Sequence, residues 1–299
     1  MESPVVRSRQ RGSVRGVDPF SVPPSTPMSV VIPDAPHKRR TGRMIAIAVV
    51  ALAAIGGVAF AVTRGDAKPT YSLKEATDAT VEVKSLTFTT TTEGFGSKVS
   101  AEAESDVENG LVHITMDLGT DVVGVGGEIE MILDIQNKLT YINQSFFKKL
   151  GVPIDTEWLS MDEAYFEQNG QDSIFNGADL GNPLDAAVAL DKAIKTEEIG
   201  FDEVNGLKVK HYRVTFRGAD VFAADGQLGA QLDEVNGEIP DEIVYEFYID
   251  EQNLVRRVTF QVDVGSGEVT TDIVVRSINE PVDIKVPDES DVTDARDFL

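Results

Sequence analysis

The sequence predicts a mainly β chain of the α+β class. One large antiparallel sheet curls into a half-barrel that encloses a few helices, preceded by a disordered tail and one transmembrane helix. Three observations predict this. Apolar and polar residues alternate with a period of two through most of the chain after residue 80, as strands with one buried and one wet face do. Asn-Gly pairs and short glycine-containing stretches separate the alternating runs at hairpin spacing. An unbroken apolar run, MIAIAVVALAAIGGVAFAV at 44–62, divides an arginine-rich tail from the β region.

Residues 1–43 hold seven of the 13 prolines and show no apolar period, which predicts disorder. The 19-residue run that follows has no charged or amide side chain. As a helix it spans about 29 Å, close to the roughly 30 Å hydrocarbon core of a bilayer. The tail carries eight basic residues against three acidic, and Lys38, Arg39, Arg40 and Arg43 abut the run. The positive-inside rule therefore places the tail in the cytoplasm, 44–63 across the membrane, and the rest outside. The rival reading is a signal peptide cleaved after Ala61, since Ala59-Phe60-Ala61 fits a small-x-small site. The charged region before the run is longer than a usual n-region, which favours an uncleaved anchor. The chain has no cysteine, so neither a lipidated cysteine nor a disulfide holds it.

After a linker at 64–70, a short helix is expected at 72–79, opening a domain that runs to 290 before an acidic tail at 291–299. Strands are expected at 81–92 and 98–107, with Asn109-Gly110 supplying a type I′ turn into a strand at 111–118. The run 128–136 places Ile129, Met131, Leu133 and Ile135 on one face, and 138–143 returns beside it. The middle is irregular, with Phe146, Phe147, Trp158 and Met161 as apolar anchors. Residues 185–195 read as a helix behind Pro183. Strands resume at 198–203 and 207–216 around Asn205-Gly206, then at 243–249, 254–264 and 268–278, with helix or loop at 218–232. So many consecutive strands must curl.

Residues 65–299 carry 18 basic and 47 acidic side chains, a net charge of −29. Such a surface repels nucleic acid. Catalytic chemistry is thinly represented. The three histidines, His37, His113 and His211, have no metal spacing, and the glycine run 123–127 precedes a strand rather than opening a helix. No serine sits in a Gly-x-Ser-x-Gly elbow. The acidic stretch 288–294 lacks the glycine and spacing of a calcium loop. No catalytic residue, metal or cofactor is expected, and the chain is not expected to be an enzyme.

What remains is apolar surface. Met116, Met131, Leu133, Tyr212, Phe216, Phe247, Phe260 and Ile273 fall on the apolar faces of different strands. Ordinary core packing is one reading of them. Lining for a lipid cavity is the other, since Met and Phe adapt to flexible acyl chains.

Several motifs occur in a telling order. Val204-Asn205-Gly206 is followed by His211-Tyr212-Arg213-Val214, which resembles the V-[DN]-G…H-Y-x-V hallmark of actinobacterial lipoproteins of the LppX/LprG type. Those proteins share the LolA/LolB lipoprotein-carrier fold. The hairpin at 134–141, Trp158 to Asp162, Pro183 with Leu190, the stretch DEQNLVRR at 250–257, and Pro281-Val282 with Pro287 resemble the family in the same order, over roughly 70–295. The resemblance implies a half-barrel wrapped around helices that holds acyl chains of a lipid or lipoprotein at the cell envelope. One departure is that the family is anchored by a lipidated cysteine, whereas this chain offers a helix. The alternative is an envelope-sensing or partner-binding module with the same domain and no cargo, in contact with an envelope protein.

Overall fold

The alternating runs become strands of one twelve-stranded sheet. The computed structural model describes residues 70–79, 83–94, 96–119, 127–149, 151, 154–168, 189–224, 239–263 and 267–298. The expected tail, the membrane span and all of the linker except Thr70 lie outside the described residues. Among the described residues no helix is long and apolar enough to cross a membrane.

The strands are β1 (Ser85–Gly94), β2 (Ser97–Asp106), β3 (Leu111–Asp117), β4 (Glu128–Asp134), β5 (Leu139–Asn143), β6 (Trp158–Asp162), β7 (Lys195–Val204), β8 (Leu207–Arg217), β9 (Glu242–Asp250), β10 (Val255–Asp263), β11 (Glu268–Ile278) and β12 (Val292–Asp294). In space they run β12-β6-β5-β4-β3-β2-β1-β11-β10-β9-β8-β7. Two meanders, β1 to β6 and β7 to β11, therefore join where β1 pairs antiparallel with β11. β12 pairs with β6 in parallel. The sheet is open and curled, and its inner face carries the main core.

That core follows from the alternation. On β2, Val99, Ala101, Ala103 and Ser105 are buried while Glu102 and Glu104 are exposed. On β3, Val112, Ile114 and Met116 point the same way. The inner row continues through Leu86 and Phe88 to Ile273 and Val275. Burying each large side chain contributes about 1.5–3 kcal/mol.

Among the described residues four short helices flank the strands: α1 (Leu73–Ala79), α2 (Gln144–Lys149), α3 (Glu163–Gln168) and α4 (Gly218–Ala224). Ser72 caps α1, its Oγ accepting the Glu75 N–H at 3.2 Å. Asn253, on the β9–β10 turn, ties α1 down: its Oδ1 accepts the Ser72 N–H at 2.7 Å and its Nδ2 donates to Glu75 Oε2 at 2.8 Å. Leu73 and Ala76 of α1 then join the core. At the start of α4, a Cβ on Gly218 would lie 1.8 Å from the Pro240 carbonyl oxygen, so only glycine fits there.

Several expectations need correction. Asn109-Gly110 does not make a type I′ turn. Asp106 pairs with Leu111, leaving a four-residue loop in which only Gly110 has positive φ, at 65°. The Asp106 carboxylate accepts the Asn109 N–H at 3.1 Å and the Asn109 side-chain amide at 2.7 Å, which holds Asn109 out of the left-handed region. Asn205-Gly206 does form the two-residue loop, with φ of 51° and 77° and Val204 paired with Leu207. The helix expected through 195 is, in its described part, a 3-10 turn at Ala189–Lys192. The Ile194 N–H donates to the Thr215 carbonyl at 2.9 Å and Lys195 already belongs to β7. Residues 80–82, 169–188 and 225–238 lie outside the described residues.

The irregular middle supplies β6, and the segment read as an acidic tail supplies β12. This C-terminal stretch covers the outer face of β4 to β6. Ile284 and Val292 pack there against Ile132, Tyr141 and Trp158, which explains an apolar Ile132 on the face the alternation assigned to water.

Candidate functional site

Every one of the eight apolar residues singled out from the sequence lies in the inner core. Met116, Met131, Leu133, Phe216, Phe247 and Ile273 are buried, and Tyr212 and Phe260 are half-buried. They form two groups. Met116 sits across from Ile129, Met131 from Ile114, and Leu133 from Val112, on β3 and β4. Tyr212, Phe216, Phe247, Phe260 and Ile273 come from β8 to β11, with Phe247 across from both Tyr212 and Val258. β1 and β2 bridge the groups through Phe88, Ala101 and Ala103.

The second group is organised by Tyr245, which the sequence reading passed over although it shares Phe247's parity on β9. Its ring meets Phe216 edge-on at 5.4 Å, and stacks near Phe247 at 6.0 Å and Phe260 at 4.8 Å. Tyr245 and Phe260 stay half-buried, as do Tyr212, Ile129 and Ile142 around the same core. α1 lies over this face through Leu73 and Ala76, and Phe146, Leu190, Ala193 and Val221 pack against it.

Tyr212 has a second task. Its hydroxyl donates to the Tyr71 carbonyl at 2.7 Å, fixing the entry to α1. The family-like motif thus has a physical meaning: Tyr212 and Val214 point inward, while His211 and Arg213 point outward and share Glu246. His211 Nε2 lies 2.6 Å from Glu246 Oε2, and Arg213 Nε donates to Glu246 Oε1 at 2.7 Å. His211 also stacks on Tyr248 at 4.4 Å. His113 pairs with Glu130 at 3.0 Å, and His37 lies outside the described residues. Among the described residues no group of three or more His, Asp or Glu side chains could hold a metal ion.

Burial pushes the phenols of Tyr141, Tyr212 and Tyr248 above the ordinary tyrosine value of 10.0; Asp134 and Glu289 add to the effect at Tyr141, while Lys210 opposes it at Tyr212 and Arg257 at Tyr248. Near pH 10 the unfolded chain releases protons that the folded chain retains. The stability contributed by these neutral phenols is complete below about pH 10 and is lost as pH rises through their folded values. A spectrophotometric titration should therefore show these phenols among the six tyrosines ionising late, together with loss of β structure. Ionisation of all six near pH 10 with the fold intact would contradict this.

No protein-family model matches the chain, and no curated protein matches it. Among solved structures, LprF from Mycobacterium bovis is 16% identical with a TM-score of 0.48, over 74% of this chain and 99% of that one. The Mycobacterium tuberculosis lipoprotein LppX is 13% identical with a TM-score of 0.45, over 73% and 100%. The Pseudomonas aeruginosa MucA/MucB complex is 15% identical with a TM-score of 0.32, over 73% and 56%. These solved structures are what the chain is similar to, at low identity.

Proposed function

We propose that this chain is a membrane-tethered extracytoplasmic protein that holds the acyl chains of a lipid or lipoprotein on its inner face, for cell-envelope lipid transport. A single span at 44–63 anchors it with the N-terminus in the cytoplasm, and it catalyses no reaction. The observation that carries this reading is the large, mainly apolar inner face, on which Tyr245 and Phe260 are half-buried. Burying an acyl chain gains about 0.8 kcal/mol per methylene, so ten methylenes approach roughly 8 kcal/mol. A fixed helical anchor suits work at the membrane surface, accepting or presenting lipid there, rather than long-range shuttling.

The test is native mass spectrometry of the full chain, purified in detergent from a lipid-rich actinobacterial host, with organic extraction of the same sample. A discrete lipid mass that Met131→Trp or Phe247→Trp diminishes is the expected result. A clean apo mass that takes up no offered lipid would sink the carrier reading. It would favour a second reading, an envelope-sensing or partner-binding module without cargo. That reading draws support from β7, the last strand in the sheet order, where Ile199 and Phe201 are exposed. An edge strand can accept a strand from another protein.

A further inference from the structure

We infer that three threonines set into the apolar inner face, Thr90 with the Thr92–Thr271 pair, form a hydrogen-bonding subsite for the ester linkage of an acylated ligand. The inference rests on the lipid-holding reading and deepens it by naming the ligand class.

On β1 the inward row runs Leu86, Phe88, Thr90, Thr92, so it turns from apolar to hydroxylic at its far end. Thr92 lies across from Val99 on β2 and from Thr271 on β11, and Thr90 lies across from Ala101 and Ile273. The three are 1%, 0% and 0% exposed. The hydroxyls of Thr92 and Thr271 are 3.3 Å apart. One O–H satisfies the other oxygen. Thr90 Oγ1 is buried and has no hydrogen-bond partner among the described residues.

A core that needed only packing would place valine at these β-branched positions, because a buried hydroxyl without a partner costs free energy that an isosteric methyl does not. The inner face therefore holds buried hydroxyls, of which that of Thr90 has no partner among the described residues. An ester carbonyl accepts hydrogen bonds and has no proton to offer, so it complements them. Its position fits an acyl ligand. Thr271 lies directly across from half-buried Phe260, so the cluster borders the aromatic group of β8 to β10. On the other side, Ala101 and Ala103 keep the floor of β2 low. An entering linkage takes the place of the groups now packed over the cluster, while its chain lies on the apolar rows beyond. A site built to hydrogen-bond one ligand group disfavours the analogue lacking it.

The test is a native mass spectrometry competition on the full chain in detergent. The probes are dipalmitoyl phosphatidylglycerol and its ether-linked dihexadecyl counterpart. Wild type is expected to favour the ester by about 2- to 10-fold, the range of one net hydrogen bond. Thr90→Val should bring the ratio near one, and Thr90→Ser, which keeps the donor, should retain the preference. Parity in wild type would overturn the inference. So would a preference unchanged in Thr90→Val and in the Thr92→Val/Thr271→Val double variant. Binding of neither lipid would overturn the carrier reading itself, and the inference with it.

Discussion

Replacing Asp250 by alanine is expected to destabilise the domain by about 3–5 kcal/mol, lowering its Tm by roughly 6–20 °C. Asp250 closes the β9–β10 hairpin from inside. Its side chain is 5% exposed, and its Oδ2 accepts from Arg256 Nε at 2.7 Å, where Arg256 is 13% exposed. Its Oδ1 accepts the backbone N–H of Gln252 at 2.8 Å and of Leu254 at 2.9 Å. Alanine would leave a buried guanidinium without this carboxylate and two turn N–H groups unmet. The same turn carries Asn253, which holds the start of α1, so the loss should extend to the helix over the inner face. Thermal unfolding followed by circular dichroism measures it. Asp250→Asn keeps acceptors for the N–H groups and should cost less. The double variant Asp250→Ala/Arg256→Met should recover part of the loss, because removing both charges costs less than stranding one. A melting point for Asp250→Ala within about 1 °C of wild type would show that the pair is not structural.

The hairpins show how far sequence reading reaches. Asp-x-x-Asn occurs at Asp106–Asn109 and at Asp134–Asn137, and both carboxylates accept the asparagine N–H and its side-chain amide. The same spacing at Asp202–Asn205 folds differently. Asp202 accepts the Glu203 N–H instead, and Asn205-Gly206 forms a two-residue loop. The local pattern does not choose between these turns. The register of the flanking strands does, because Val204 pairs with Leu207 whereas Asp106 pairs with Leu111. Long alternating strands such as β2, β3 and β8 were legible for the opposite reason, since a slip of one residue would turn every apolar side chain to water. β6, with five residues, and β12, with three, are too short to show a period. β12 exists only through its parallel pairing with β6, more than a hundred residues away in sequence.

The inner face was legible to the same extent. All eight apolar candidates share it, because parity along a strand fixes the face even when the partner strand is unknown. Tyr245 carried the same signal two residues before Phe247 and was passed over. Thr90, Thr92 and Thr271 were missed because a search for apolar lining discards hydroxyls. Their burial depends on strands β1 and β11, which meet across nearly the whole length of the domain. The sequence could not show that pairing.

Replacing Phe260 by glutamate is expected to weaken lipid binding by about 100-fold while leaving the fold in place. Phe260 is half-buried, stacked on Tyr245 at 4.8 Å and across from Thr271. In the empty protein this partial exposure lets a carboxylate there keep its water. A bound acyl chain would cover it. A charge at an apolar centre costs about 2.5–3.5 kcal/mol on insertion scales, which corresponds to about 100-fold in affinity. The penalty therefore falls on the complex, and titration of the full chain with a fluorescent acyl lipid reads it. Phe260→Leu separates charge from shape and should keep most of the affinity. The charge can also be removed in place. Covering a carboxylate raises its pKa, so the bound state takes up a proton more readily than the free state, and affinity should recover as pH falls from about 6 to about 4 in this variant but not in wild type. Binding within threefold of wild type at neutral pH would mean that the lipid does not lie along the β9–β11 end of the inner face, and the search would move to the Met116–Met131–Leu133 group on β3 and β4.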